Sequence, residues 1–186
     1  NFLNWTVNDS IVSTDSIYSY ICGENANVIG NFSRKQYSVN INNNPDTAGI
    51  TVGAGLYEHG SLVSVEATSK NGWKFENWSI DGQIISVDSN YSFIIFENKE
   101  LLANFSKKIF TLKLFSEPAD GGITSGNGDY PFDSLVTAAA IPNYGWNFYQ
   151  WVEDDHVLTE DSVATININE NKDLKAIFRK NKYSIE

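Results

Sequence analysis

The sequence GWKFENW at residues 72–78 returns as GWNFYQW at residues 145–151, which lies 73 positions later. Shifting the whole chain by this distance keeps the register without a gap, and 26 of 73 positions in residues 36–108 are identical to their counterparts in residues 109–181. Self-similarity at a fixed period is the sequence sign of a repeat architecture. The chain is therefore predicted to contain tandem copies of one small module.

The repeat also sets the expected module boundaries. The same shift reaches back to the beginning of the chain, where Phe2 and Trp5 align with Phe75 and Trp78. We therefore expect the rear half of one repeat (1–35), two full repeats (36–108 and 109–181) and the start of another (182–186). The incomplete units indicate a longer array in the parent protein. The half repeat is expected to dock on a neighbour or to fray, unless the structural unit is phased differently from the sequence period.

Local patterns within each full repeat are those of short strands. Tyr37, Val39 and Ile41 alternate with polar residues, as expected for a half-buried strand. The segment 73–80 breaks this alternation, because Phe75 and Trp78 stand three apart, which indicates a β-bulge or a short turn, with a single helical turn as the alternative. No longer stretch has a convincing helical period. We predict a mainly β fold, with small β-rich modules of about 73 residues in an elongated array.

Composition and charge narrow the classes of function. Hydrophobic residues make up 41% of the chain, which is enough to form cores. Thirteen Lys and Arg against 23 Asp and Glu give a net charge of −10, which disfavours nucleic acid and anionic lipid as partners. No apolar run approaches the roughly 18 residues of a spanning helix, so no membrane insertion is expected. The single cysteine and two histidines cannot build a structural zinc site.

A chemistry that the repeats share should recur in each copy. His59 aligns with Phe132, and His156 aligns with a glutamine, so both histidines are predicted to be surface or turn residues and no catalytic residue is predicted. Cys22 aligns with Ile95 and is predicted to be a small buried hydrophobe rather than a reactive thiol.

Three acidic positions do recur. Asp81 aligns with Asp154, Asp88 with Asp161, and Glu97 with Glu170. Because the chain has no calcium-loop pattern, solvated turn carboxylates are favoured over a calcium site. We therefore predict neither a metal ion nor another cofactor.

Recurring aromatic residues are given two different roles. One set is expected to fill the cores, because a module of this size needs their bulk: Phe2, Trp5, Phe32, Phe75, Trp78, Phe105, Phe148, Trp151 and Phe178. The other set follows glycines and is the best candidate for a ligand-contacting surface, with simple packing as the alternative: Trp73, Trp146, Tyr57 and Tyr130.

The order of these motifs resembles a known family. The pattern Pro-x-x-Gly-Gly, Gly-x-Gly-x-Tyr, Val-x-x-x-Ala, Gly-Trp-x-Phe-x-x-Trp and Leu-x-Ala-x-Phe is similar to the divergent internalin-type (InlB) B-repeat domain of bacterial cell-surface and secreted proteins. The matching residues of the second full repeat are Pro118, Gly121, Gly122, Gly126, Gly128, Tyr130, Val136, Ala140, Gly145, Phe148, Trp151, Leu174, Ala176 and Phe178. The first full repeat departs from the pattern at Ala48. The resemblance implies β-grasp-like modules in tandem on secreted or wall-attached proteins, without catalytic residues.

Two hypotheses of different class follow. The first is a non-enzymatic, extracellular segment that acts as a stalk or spacer, with adhesion as a further role and the neighbouring repeats as its contacts. The alternative is a binding module that contacts an extracellular glycan, or a host or matrix protein, through Trp73, Trp146, Tyr57 and Tyr130. An enzyme is a third hypothesis, which the lack of recurring catalytic residues disfavours.

Overall fold

The computed structural model describes residues 1–182, and this range contains strands and no helix. The prediction of a β fold is therefore confirmed. The predicted start of a further repeat, residues 182–186, lies outside the described residues except for its first position. In chain order the strands are β1 (Phe2–Val7), β2 (Ser10–Ser13), β3 (Val28–Phe32), β4 (Gln36–Asn44), β5 (Gly49–Val52), β6 (Gly55–Glu58), β7 (Leu62–Ser69), β8 (Trp73–Ile80), β9 (Gln83–Ser86), β10 (Asn90–Ile94), β11 (Lys99–Lys107), β12 (Ile109–Glu117), β13 (Gly122–Ser125), β14 (Gly128–Pro131), β15 (Ser134–Pro142), β16 (Trp146–Glu153), β17 (His156–Thr159), β18 (Val163–Ile168) and β19 (Lys172–Lys180).

Two sheets build the second full repeat. The larger has the order β14-β12-β19-β16-β17, and the smaller has the order β13-β15-β18. In the larger sheet the first strand of the repeat, β12, and the last, β19, are parallel neighbours, with Leu112 opposite Lys172 and Glu117 opposite Ile177. The other strand pairs of this sheet are antiparallel. The chain therefore enters the repeat along β12 and leaves it along β19 in the same direction.

The first full repeat has the same strand order. Its larger sheet is β6-β4-β11-β8-β9 and its smaller sheet is β10-β7-β5. Strands β4 and β11 are again parallel, with Leu101 opposite Ile41. The Pro-x-x-Gly turn is also closed alike in both copies, because the Ala48 N–H donates to the Pro45 carbonyl at 3.1 Å and the Gly121 N–H to the Pro118 carbonyl at 2.9 Å. Ala48 therefore keeps the turn that glycine forms in the second repeat.

Residues 1–35 form one three-stranded sheet with the order β2-β1-β3. By the sequence alignment these strands are the counterparts of β9, β8 and β11, which make the rear part of a larger sheet. Both pairings of β1 are antiparallel. Residues 14–27, between β2 and β3, contain no strand.

A β-bulge explains why a Phe and a Trp stand three residues apart in each repeat. The pairing of β16 with β19 shifts between Phe148 and Gln150, so Tyr149 is the additional residue. The bulge moves the side-chain alternation by one position, and Phe148 and Trp151 turn to the same side, with ring centroids 5.9 Å apart. The pairing of β1 with β3 has the same shift. The bulge predicted for residues 73–80 is thus present at the equivalent positions of β16 and β1, and because Trp73–Ile80 is strand throughout, the helical turn is wrong.

The core of the second repeat lies between its two sheets, because one buried cluster draws residues from both. Strand β15 contributes every second residue, as expected for a strand with one face toward the core. The buried members are Leu112, Leu114, Val136, Ala138, Ala140, Trp151, Ile166, Ile168, Leu174, Ala176 and Phe178. In the first repeat the buried counterparts include Val39, Val63, Ala67, Trp78, Leu101 and Ala103.

Compactness divides the chain into two units. The first comprises Asn1–Thr68 and Glu76–Asn104, and the second comprises Ser69–Phe75 and the chain from Phe105 onward. The segment Ser69–Phe75, which belongs to the first full repeat by sequence, is thus part of the second unit.

Candidate functional site

The two tyrosines considered as ligand contacts close the Gly-rich turns of their own repeats. The Tyr57 hydroxyl donates to the Gly53 carbonyl at 2.9 Å, and the Tyr130 hydroxyl donates to the Gly126 carbonyl at 3.0 Å. Both side chains are half-buried. A hydroxyl that is bonded to its own turn stabilises that turn, and the same geometry in two copies indicates a structural role.

The two tryptophans considered with them each follow a left-handed glycine. Gly72 has a φ of 77° and Gly145 has a φ of 85°. Trp73 and Trp146 are half-buried. The ammonium group of Lys180 lies 5.3 Å from the centroid of the Trp146 ring, so this ring already contacts a cation of its own sheet.

Register places Tyr130 and Trp146 at opposite ends of the larger sheet in the second repeat. Tyr130 lies opposite Phe110, near the beginning of β12, whereas Trp146 lies opposite Lys180, at the end of β19. Because β12 and β19 run parallel and in register, the two positions are separated by about 30 Å along the sheet, at roughly 3.3 Å per residue. These two side chains therefore do not form one ligand surface.

The aromatics expected in the cores differ in their burial. Trp78 and Trp151 have no exposed surface, and Phe105 and Phe178 are also buried. The half-buried members are Phe2, Trp5, Phe75 and Phe148. Phe32 is the exception, since 71% of its surface is exposed.

Phe32 is exposed because its sheet lacks the cover that its counterpart has. In the second repeat, the side chain of Phe178 lies directly against Gly121 and Gly122, at the end of the turn that follows β12. Residues 1–35 contain no equivalent of that turn. The core assignment of Phe32 is therefore wrong, although its ring contacts Phe2 with centroids 5.5 Å apart.

Cys22 is exposed, so the expectation of a buried residue is wrong. Its counterpart Ile95 is fully buried and is held by hydrogen bonds to the backbone of Gly60 and Ser61. Those two residues belong to the front half of the repeat, which has no counterpart in residues 1–35. The burial of this position thus depends on a part of the repeat that is distant in sequence.

Both histidines are exposed, as expected for surface residues. His59 lies between the rings of Tyr37 and Phe96, with centroid distances of 5.9 and 5.2 Å. The His156 Nδ1 atom lies 2.8 Å from the Asp154 carbonyl oxygen, within its own turn.

Some of the recurring acidic residues meet at one groove in each full repeat, and in the second repeat this groove lies beside the last strand of the larger sheet. In the second repeat, Glu153, Asp154 and Glu170 line an open groove of about 320 Å³, together with Val157 and Leu158 of β17. Lys172 lies in the same groove, with its Nζ atom 2.9 Å from Glu153 and 3.7 Å from Glu170. Three carboxylates face one ammonium group, so the groove has an excess of negative charge.

The first repeat has a counterpart of this groove. Asp81, Glu97 and Lys99, the equivalents of Asp154, Glu170 and Lys172, line a cavity of about 260 Å³ together with Glu100, which aligns with Asp173. The Nζ atom of Lys99 lies 2.8 Å from Glu97. The hydrogen bond from Lys99 and its positive charge hold the pKa of Glu97 below its ordinary value. The recurrence of these acids in the sequence indicated that they matter to both repeats. It did not indicate that they lie in one groove, because the fold brings them together.

Within residues 1–182, no group of three or more His, Cys, Asp or Glu side chains is arranged to hold a metal ion. No helix of this range is long and apolar enough to cross a membrane.

Within the second unit, the turn before β8 packs against the beginning of the second repeat. The Lys108 N–H donates to the Gly72 carbonyl at 2.8 Å, and the Phe132 N–H donates to the Lys108 carbonyl at 2.8 Å. The Lys107 ammonium group donates to the Phe132 carbonyl at 3.1 Å. The Phe132 ring occupies the space into which a Cβ atom at Gly72 would project. Hydrogen bonds and close packing thus join a turn of one repeat to a strand end of the next.

These features define a tandem repeat protein whose all-β modules share one strand order and one kind of aromatic core. Comparison with family models matches the divergent InlB B-repeat domain twice, over residues 37–109 and 112–182. The chain belongs to this family, and the resemblance seen in the sequence is confirmed. The family is a non-catalytic, extracellular tandem-repeat module, and its domains occur in bacterial surface or secreted proteins. Comparisons with curated proteins and with solved structures found no match.

Proposed function

We propose that this chain is a spacer segment of a bacterial surface or secreted protein, and that it carries tension between the parts of the protein that it connects. The observation that supports this most is the parallel pairing of the first and last strands in each full repeat. Because these strands run in the same direction, the chain enters a repeat at one end of the sheet and leaves it at the other. Each repeat therefore advances the chain by about one strand length, roughly 30 Å for nine residues.

The same pairing determines how a repeat responds to force. Tension applied through the two ends of the second repeat pulls β12 and β19 in opposite directions along their length. The hydrogen bonds between residues 112–117 and 172–177 lie across this direction, so they are loaded together rather than one after another. A sheet loaded in this way resists extension better than one that is opened from a strand end.

The connection between the repeats supports the same role. Strand β11 ends at Lys107 and β12 begins at Ile109, so a single residue links the two larger sheets. The contacts of Lys108 with Gly72 and Phe132 add hydrogen bonds on both sides of this link. A connection this short, with its backbone groups bonded, has little freedom to extend before the repeats themselves unfold.

Single-molecule force spectroscopy on the full chain, held at its two ends, tests the proposal. We expect one unfolding event for each full repeat, with a contour-length gain of roughly 21–23 nm, which is the extended length of about 73 residues less the roughly 3 nm that a folded repeat spans. The matched control attaches the handles at Ile109→Cys and Asp173→Cys in a Cys22→Ser background, which pulls the beginnings of β12 and β19 apart. This geometry opens the strand pair bond by bond, so we expect a several-fold lower unfolding force. Equal forces in the two geometries would contradict the proposal.

A further inference from the structure

Each larger sheet ends in a short edge strand with exposed aliphatic side chains. Strands β9 and β17 are the last strands of their sheets and pair with one neighbour only. Ile84 of β9 is 63% exposed, and its counterpart Val157 of β17 is 58% exposed. Proteins commonly protect such edges with lysine or proline. Neither residue occurs in these two strands, whereas the opposite edge of the second repeat carries Pro131 in β14.

An aspartate precedes and another follows each of the strands β9 and β17, and the backbone geometry at these aspartates is alike in the two repeats. The turn before each strand has an aspartate in the left-handed conformation, with a φ of 49° at Asp81 and 47° at Asp154. After the strand, the Asp88 N–H donates to the Ser86 hydroxyl at 3.0 Å. In the second repeat, the Asp161 N–H donates to the Thr159 hydroxyl at 3.1 Å. Two adjacent aliphatic residues, with an aspartate before and after the strand that carries them, thus occur on the same edge of two successive repeats. They are Ile84 and Ile85 in β9, and Val157 and Leu158 in β17.

The groove beside β17 fits a basic side chain in shape and charge. Val157 and Leu158 offer an apolar surface, on which the methylene groups of a lysine or arginine can lie. The carboxylates of Asp154 and Glu170 line the same groove and can accept hydrogen bonds from the cationic group of that side chain. The resident Lys172 already offsets part of the charge of Glu153 and Glu170, which leaves the groove with an excess of negative charge.

We propose that β9 and β17 each bind an extended, basic peptide segment of a partner protein, which adds as a further strand at the edge of the sheet. Backbone hydrogen bonds along the free edge supply affinity, and a lysine or arginine in the acidic groove beside β17, or against Asp81 in the turn before β9, supplies specificity. A second copy of this chain does not suit the edge. Its own edge strands carry the same acids, and pairing two of them places like charges together in a chain with a net charge of −10. This inference goes beyond the spacer role and does not depend on it.

A short peptide in which lysine alternates with valine, blocked at both ends, is the probe. We expect it to bind the full chain in fluorescence anisotropy at more than one site, and to protect the amides of β9 and β17 in NMR hydrogen exchange. A second probe with glutamate in place of lysine should not bind. A third probe keeps the lysines but has an N-methylated backbone. Equally tight binding of this third probe would overturn strand addition, because N-methylation removes the donors and leaves the charge.

Two double variants of matched exposure complete the test. Ile84→Lys with Val157→Lys places a cation on both edges, and we expect the affinity for the lysine peptide to fall by about tenfold or more. The control, Leu62→Lys with Leu135→Lys, changes aliphatic residues that are 68% and 73% exposed on the smaller sheets. It adds the same charge and should bind as the parent chain does. Equal weakening in both variants, or no binding by the parent chain, would overturn the proposal.

Discussion

Gly72 combines a left-handed backbone with close packing, and this makes it the most sensitive single position of the connection between the repeats. Its φ is 77°, and a Cβ atom there would overlap the ring of Phe132. We expect Gly72→Ala to lower the free energy of unfolding of the second unit by about 2–5 kcal/mol, as measured by denaturant titration. Of this, about 1–2 kcal/mol is the cost of a left-handed alanine and the rest is overpacking.

Gly145 provides the control for this prediction. It occupies the equivalent position in the second repeat, has a φ of 85°, and has no atom within 4 Å of an added Cβ. Gly145→Ala should therefore cost only about 1–2 kcal/mol, the backbone part. Combining Gly72→Ala with Phe132→Ala should recover part of the overpacking cost. Equal losses for the two single variants would mean that the Phe132 contact does not constrain the turn.

Lys99 and Glu97 allow the electrostatics of one acidic groove to be measured directly. Because Lys99 lowers the pKa of Glu97, the folded chain favours the ionised carboxylate. This exposed pair thus makes a small contribution to the free energy of unfolding when the pH is above the ordinary pKa of glutamate. The contribution is lost as the pH falls through the lowered pKa of Glu97. We expect Lys99→Ala to return the pKa of Glu97 toward its ordinary value in an NMR titration. Lys175→Ala, which removes a cation that pairs with Glu117 instead, should leave it unchanged.

Residues whose environment is local could be predicted from the sequence, and those that depend on distant segments could not. Trp78 and Trp151 are buried as expected, because the sheet that carries them also brings their neighbours. Cys22 and Phe32 were misassigned, because the aligned positions are covered by the front half of a repeat, which residues 1–35 lack. The roles of the tyrosines were also hidden, since the hydroxyl of Tyr130 reaches a carbonyl that no sequence pattern identifies.

At the scale of a strand, the bulge at Tyr149 decides which residues of β16 face the core. Deleting Tyr149 removes the additional residue and leaves Phe148 and Trp151 two positions apart, so both side chains would still point to the same face of the sheet. We therefore expect the deletion variant to keep Trp151 buried and to lose about 0.5–2 kcal/mol of stability with the contact between Tyr149 and Arg179, as measured by denaturant titration followed by circular dichroism and tryptophan fluorescence.

The substitution Tyr149→Ala is the control for the deletion, because it keeps the additional residue and its register. It removes the stacking of Tyr149 with Arg179, whose guanidinium carbon lies 3.1 Å from the ring centroid. A cation–π contact of this kind contributes about 0.5–2 kcal/mol, so the variant should stay folded. A deletion variant that unfolds while Tyr149→Ala stays folded would contradict this expectation and show that the additional residue itself is required.

Among the elements, short strands and the bulge could be predicted, but their pairing could not. The alternation of apolar and polar residues, and the spacing of three between Phe and Trp, are patterns of residues close together in the sequence. They can therefore be read from one sequence alone. The parallel pairing of β12 with β19 joins residues that are 60 positions apart. Nothing in either strand alone specifies this neighbour. The acidic grooves depend on the same long-range pairing, which is why their carboxylates could be recognised as recurrent without being placed together.

For the whole chain, the 73-residue period predicted a repeated fold, and the structure has one strand order in both full repeats. The period does not predict the division into compact units, because Ser69–Phe75 packs with the second unit rather than with the rest of its own repeat. The contact between Gly72 and Phe132 belongs to this second unit, and the position that aligns with Phe132 in the first repeat is not a phenylalanine. A histidine, His59, stands there instead.

The number of cooperative units follows from where the cores lie. The core of the second repeat is a single cluster around Trp151, and its members all come from β12 to β19. In a repeat protein, stability is approximately the sum of the stabilities of the repeats and of the contacts between neighbours. We expect Trp151→Ala to cost about 3–5 kcal/mol and to remove amide protection from β12–β19, while β4, β5 and β7 keep most of theirs in hydrogen-exchange mass spectrometry. Loss of protection in both regions at the same denaturant concentration would mean that the two units fold as one.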